Sequence, residues 1–378
     1  TYVLKQVVEH YNDRSSPCYV VLLDASKAFD KVEYVRLFSL LIQRGLCAKL
    51  CKLLALLYTQ QTMCVRWSNC TSAQFRCQNG VKQGGVLSPT LFCVYYDELL
   101  GRLKQCGSGC YVGNKFVGAL SYADDVTLLA PCLSAVEVML RVCEQFANDF
   151  CATFNAEKSQ FLVLGSTGQN NGHHLVMNGS RIKRCERAKH LGTYIGRDSD
   201  AHNVREACGN LYSSTNVILS RFGHCTANVL NHLFETHCTS LYGCPLWELD
   251  GLDPLFIAWK KCVKRIWKIN IRTKSKYVFH LPRTYISHVV HLRFFNFFYT
   301  CWHSKNDIVR MISRHAMLFS NGVNKNMLEC VEKSSIPIDN MIAEAKSVRT
   351  ALCTSGGSAE DMASAAALKE LCLCRDGV

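Results

Sequence analysis

Three acids invite chemistry. CYVVLLD ends on Asp24, and 100 residues later SYADDVTLLA carries Asp124 and Asp125 side by side. Neighbouring aspartates are often only a solvated turn, because Asp bends and caps backbone easily. Here each acid adjoins a dense apolar run of strand character, and if those two strands lie side by side, three carboxylates converge. Carboxylates so gathered repel one another and raise each other's pKa unless a cation sits among them. Oxygen-only ligands suit Mg²⁺, which takes one or two carboxylates together with waters and substrate phosphates. A pair of such ions activates a 3′ hydroxyl and stabilises a pyrophosphate leaving group in an in-line displacement.

The surrounding sequence supplies elements to position these acids. CYVVLLD has the β-branched, apolar character of a buried strand. KAFDKVEYVRLFSLLIQRG has apolar residues at helical intervals and stops at Gly45, and LCAKLCKLLALLYTQ predicts a second helix. MCVRW and AQFRCQNGVKQGG alternate like hairpin strands, with Asn79-Gly80 as the turn signal. Ser88-Pro89 opens a helix with proline in its first turn. ALSYADDVTLLA reads as strand, turn, strand; a helix over SAVEVMLRVCEQFANDF and a strand over FNAEKSQFLVLG follow. This order predicts an α+β architecture with helices packed on one face of an antiparallel sheet. Residues 166–180 are polar and Gly-rich, a loop or boundary. Beyond about residue 200 the chain reads as mostly helical, ending in a CTSGGS joint and a short helix with Ser358 and Asp361 placed for a capping box.

Composition narrows the partners. A chain of 378 residues, 48% hydrophobic, can bury a sizeable core. The net charge is +13, and most of the excess lies between Arg181 and Arg310, with 20 Lys and Arg against 9 Asp and Glu. That bias predicts a polyanion-facing surface. KKCVKRIWKINIRTKSK holds eight Lys or Arg and no acid. Lys260, Lys261, Lys264, Arg265 and Lys268, with Trp259 and Trp267, offer phosphate contacts and stackable rings for a nucleic acid; a helix with one solvated cationic face is the plainer alternative. The 23 cysteines lack the spacings of a disulfide framework and read as mostly buried thiols in a reducing cytoplasm or nucleus. No apolar run approaches a membrane span. His224, Cys225, His232, His237, Cys238 and Cys244 fit no standard zinc spacing, and zinc is not expected.

LLDASKAFD, GVKQGGVLSP and YADD, collinear and followed by FNAEKS and AKHLGTYIG, resemble motifs A to D, and the segment after them, of the reverse transcriptase of non-LTR, LINE-type retrotransposons. The resemblance covers roughly residues 1–200. It implies a right-hand polymerase palm with partial fingers over 1–165, a mostly helical thumb-like connection over 166–245 and a basic helical extension over 246–378. It assigns metal binding to Asp24, Asp124 and Asp125, two Mg²⁺ ions as cofactors, and a general-acid role to Lys158. It makes Phe29 the aromatic gate against a ribose 2′ hydroxyl, and sets Ala25, Gln83, Gly84 and Gly85 about the incoming nucleotide. The implied activity is RNA-directed DNA polymerase, with an RNA template, a DNA primer, dNTPs and the element RNA as a ribonucleoprotein in cytoplasm and nucleus. Only 23 residues precede Asp24, so the family's N-terminal fingers region is expected to be largely absent from a chain that reads as part of a longer polypeptide, and polymerisation by this fragment alone is an open question. Two alternatives remain: another templated polymerase such as an intron maturase, and a non-catalytic remnant that binds nucleic acid.

Overall fold

The computed structural model describes residues 1–165, 174–248, 251–278, 281–282 and 285–318. The predicted C-terminal joint and capped helix lie outside them. The chain packs as two compact units, one of residues 10–111 and 115–186, the other of 1–9, 112–114 and the chain from Arg187.

The first unit is built on a five-stranded sheet. Its strands are β1 (Cys18–Ala25), β2 (Ala119–Tyr122), β3 (Asp125–Ala130), β4 (Phe154–Leu164) and β5 (Lys183–Arg184), in the order β5-β4-β1-β3-β2. All pairings are antiparallel except β4 with β5. Successive residues of β3 from Val126 to Ala130 are all buried, so this interior strand is covered on both faces. Helices α4 (Ser88–Gln105) and α5 (Leu133–Asp149) pack against the sheet through Phe92, Tyr96, Leu99, Met139, Leu140 and Phe146. Proline in the first turn of α4 matches the reading of Ser88-Pro89.

Two local readings change. The predicted helix after Asp24 begins only at Tyr34 (α2, Tyr34–Gln43), because residues 26–32 turn back on themselves, with Asp30 N–H donating to the Lys27 carbonyl. Helix α3 (Ala48–Thr59) follows as expected. Asn79-Gly80 does not turn a hairpin: Gly80 N–H donates to the Val32 carbonyl and Val81 N–H to the Phe29 carbonyl, so tertiary pairing claims this stretch. Among the described residues an Asn-Gly pair does turn a hairpin at Asn178-Gly179, both at positive φ, between Val176–Met177 and Ser180–Arg181. Leu175, Met177 and Ile182 are buried in the same core as the sheet, and Asn178 N–H donates to Glu144 of α5 at 2.6 Å. These anchors carry the first unit to residue 186, past the sequence boundary at 165.

The second unit begins with a hairpin, β6 (Arg187–His190) and β7 (Thr193–Gly196), turned by Leu191 and Gly192 at positive φ. Helices α6 (Ser199–Phe222), α7 (Ala227–His237), α8 (Asp253–Ile266), α9 (Ile286–Trp302) and α10 (Asp307–Leu318) follow, the expected helical character. Helix α1 (Tyr2–Asn12) contributes Lys5, whose ammonium donates to Asp200 at 2.7 Å and to the Leu246 carbonyl at 2.6 Å.

The described cysteines are free thiols, yet only eight are buried, including Cys18, Cys110 and Cys143. The expectation of mostly buried thiols therefore fails for the rest: residues such as Cys47, Cys64 and Cys70 are exposed. No described helix is long and apolar enough to cross a membrane.

Candidate active site

Strand register assembles the acids. Tyr19 to Leu23 pair with Ala130 to Val126, so one step past Leu23 and Val126 the chain reaches Asp24 on β1 and Asp125 on β3. Tyr122 pairs with Asp125, leaving Ala123 and Asp124 as the two-residue turn. Ala123 takes φ 52°, the positive value that tight hairpin turns require and a side chain rarely adopts. Adjacent acids thus occupy a hairpin tip beside a third acid on the neighbouring strand.

Electrostatics register this proximity. Asp125 is held above the ordinary aspartate range, first by loss of solvent and then by the negative charges of Asp124 and Asp24. Beside them the Tyr96 phenol is pushed up by burial and by the charge of Asp124, and its buried hydroxyl has no hydrogen-bond partner among the described residues. Among those residues no three Asp, Glu, His or Cys side chains gather tightly enough to hold a metal ion alone. The predicted trio is therefore a set of neighbours and not a closed three-ligand cage. A cation that takes one or two carboxylates and fills its shell with water and phosphate suits such a donor set.

Asp24 is positioned by an irregularity in β4. Leu22 pairs with Gln160 but Asp24 with Asn155, so residues 156–159 bulge opposite Leu23. Ser159, fully buried, accepts from the Asp24 N–H at 3.2 Å and donates to the Asn155 carbonyl at 2.7 Å. The Asn155 side chain accepts from the N–H groups of Glu157 and Lys158 at 3.0 and 3.2 Å, shaping the bulge that carries Lys158 exposed at its surface. Sequence reading named Lys158 and missed Ser159; a lone hydroxyl beside a charged pair gives no local sign that it reaches a strand 135 residues away.

The predicted nucleotide contacts divide. Ala25 is buried in the core. Phe29 is half-buried and stacked on Phe92. Gln83 and Gly84 are exposed, Gly84 at φ 80°. At Gly85 a Cβ would lie 2.6 Å from the Ser88 hydroxyl, so glycine is needed where this loop enters α4.

The basic segment changes most. On α8, Lys264 is buried, and its ammonium donates to the carbonyls of Ile271 at 2.8 Å and Thr273 at 2.6 Å. It closes a loop and is not free to meet phosphate. Trp259 is also buried, its ring edge-on to Tyr285, and cannot stack on a base. Lys261, Arg265 and Lys268 remain exposed, and Lys260 is half-buried.

The reverse transcriptase (RNA-dependent DNA polymerase) family matches residues 2–196, just over half the chain. The chain belongs to that family. Among its relatives are the Pol polyprotein of the type-2 retrotransposable element R2DM of Drosophila melanogaster, 28% identical over 200 residues, covering 50% of this chain and 19% of that protein, and that of the type-1 element R2 of Nasonia vitripennis, 29% identical over 169 residues, 45% of this chain and 16% of that protein. The chain spans less than a fifth of the length of these two relatives. Apo telomerase of Candida tropicalis aligns with a TM-score of 0.43 at 12% identity, covering 91% of this chain and 55% of that one. The matched segment contains the acids, the Phe29 loop and the β4 bulge of the reverse transcriptase.

Proposed function

We propose that this chain is the catalytic part of a non-LTR retrotransposon polymerase that adds dNTPs to a DNA primer 3′ hydroxyl on an RNA template. The observation that carries this reading is the register placing Asp24 beside Asp125, with Asp124 at the adjoining turn.

In this reading Asp24 and Asp124 hold two Mg²⁺ ions and Asp125 tunes the charge around them. When bound, the ions supply activation of the 3′ hydroxyl and neutralisation of the pyrophosphate. The protein does the positioning. Ser159 and the β4 bulge fix the backbone of Asp24, the Gly80–Gly85 loop approaches the nucleotide, and Phe29 fills the volume that a 2′ hydroxyl would need. Lys158, exposed on the bulge, delivers a proton to the leaving pyrophosphate. Lys261, Arg265 and Lys268, at helical spacing along and just past α8, contact nucleic-acid phosphates. The element RNA, as a ribonucleoprotein in cytoplasm and nucleus, is the proposed partner in the cell.

The test is primer extension on poly(rA)/oligo(dT) with Mg²⁺ and dTTP, comparing the chain with Asp124→Ala. Incorporation by the unsubstituted chain alone supports the assignment. Equal incorporation by both would sink the role of Asp124.

A further inference from the structure

The Phe29 ring does not stand alone. It lies flat on Phe92, with centroids 4.3 Å and planes 2° apart. Phe92 stacks in turn on Tyr96 at 4.4 Å and 26°, and Tyr96 meets Phe146 edge-on at 5.6 Å. Phe92, Tyr96 and Phe146 are buried; only Phe29 keeps an open flank. The column runs from the half-buried Phe29 ring into the core. The backbone is held as well, since Val81 N–H donates to the Phe29 carbonyl at 2.8 Å and Gly80 packs directly on Asp30.

A filled volume separates ribose from deoxyribose only while it stays filled. The sugars differ by one oxygen, and a phenylalanine with staggered alternatives can swing aside far enough to admit it. A parallel ring on the buried face of a helix removes that freedom, because any swing breaks the stack and leaves the face of Phe92 without contacts.

We propose that Phe92 is a specificity-determining positioning residue, the buried ring that holds Phe29 in its excluding orientation. This rests on the reading of Phe29 as the ribose gate. Phe92 itself touches no substrate; its effect is on which sugar fits, not on the rate of transfer.

The experiment uses the full chain on an RNA template and a DNA primer, with dGTP and GTP opposite a template cytosine. Binding is measured on a chain-terminated primer and incorporation on an extendable one. Phe92→Leu is expected to lower the preference for dGTP over GTP about tenfold through tighter GTP binding, with dGTP binding within about threefold of the original. Phe92→Tyr, which keeps the ring, should restore the preference. Phe92→Met, close in volume and without a ring, serves if the leucine variant melts early. Phe29→Val is the control. If it shifts the preference while both Phe92→Leu and Phe92→Met leave it unchanged, the role of Phe92 is refuted and the gate stands. If Phe29→Val shifts nothing, the gate reading falls and the support role with it.

Discussion

Asp24 and Ser159 are joined across the irregular edge of β4, the Asp24 N–H donating to the buried serine hydroxyl at 3.2 Å. Because that hydroxyl also donates to the Asn155 carbonyl, Ser159→Ala removes both bonds at once and frees the end of β1 to shift. A loss of about 1–2 kcal/mol of stability is expected, together with a fall of about tenfold in primer extension, since an ångström of misplacement at a reacting centre is costly. Chemical denaturation and steady-state extension of the same variant check both. Lost stability with unchanged extension would make Ser159 a purely structural residue.

The crowded carboxylates give a pH signature. Asp125 is raised by burial first and then by Asp124 and Asp24, so the folded chain binds its proton more tightly than the unfolded one. The stability this contributes is complete below the unfolded aspartate value of about 3.9 and disappears as pH rises through the folded value. Without divalent metal, the melting temperature should therefore carry a downward component above about pH 4, smaller in Asp124→Asn. At neutral pH, Mg²⁺ should raise the melting temperature of the original chain and not of that variant. Calorimetry across a pH series, with and without Mg²⁺, decides it.

Lysines of the basic segment should separate into two kinds. Lys264→Met leaves the Ile271 and Thr273 carbonyls without their donor and should cost about 1–3 kcal/mol. Lys261→Ala, Arg265→Ala and Lys268→Ala, at exposed positions, should change stability by less than about 0.5 kcal/mol. Each should instead reduce the salt dependence of nucleic-acid binding by about one unit of slope. Binding isotherms at several salt concentrations, alongside thermal melts, distinguish the two behaviours.

Two loop glycines differ in what alanine would meet. At Gly84, φ 80° is the obstacle and the space is open, so Gly84→Ala should cost about 1 kcal/mol. At Gly80, φ 92° is compounded by Asp30 backbone atoms 2.9 Å from the added carbon, and the cost should be larger. Its displacement should also disturb the neighbouring Val81 to Phe29 bond, so chemical denaturation should show a larger loss of stability for Gly80→Ala than for Gly84→Ala.

By itself the sequence determined the local chemistry of this chain. The apolar run before Asp24, the turn at Asp124, the proline opening α4 and the helical periodicity of α5 follow from preferences of residues close together in the chain, and the motif order carries the family. What only the tertiary structure decided depends on residues far apart. Asn79-Gly80 has the composition of a hairpin turn but lies where the backbone of Gly80 and Val81 pairs with Val32 and Phe29, whereas Asn178-Gly179 turns a hairpin and keeps its tertiary bond to Glu144. Lys264 looks like its neighbours in sequence and is buried because α8 turns it toward two carbonyls. The register of Leu23 with Val126, the Ser159 bond and the flat stack of Phe29 on Phe92 arise from packing one surface against another. No local propensity encodes these contacts, because their energy exists only once the strands and helices have met.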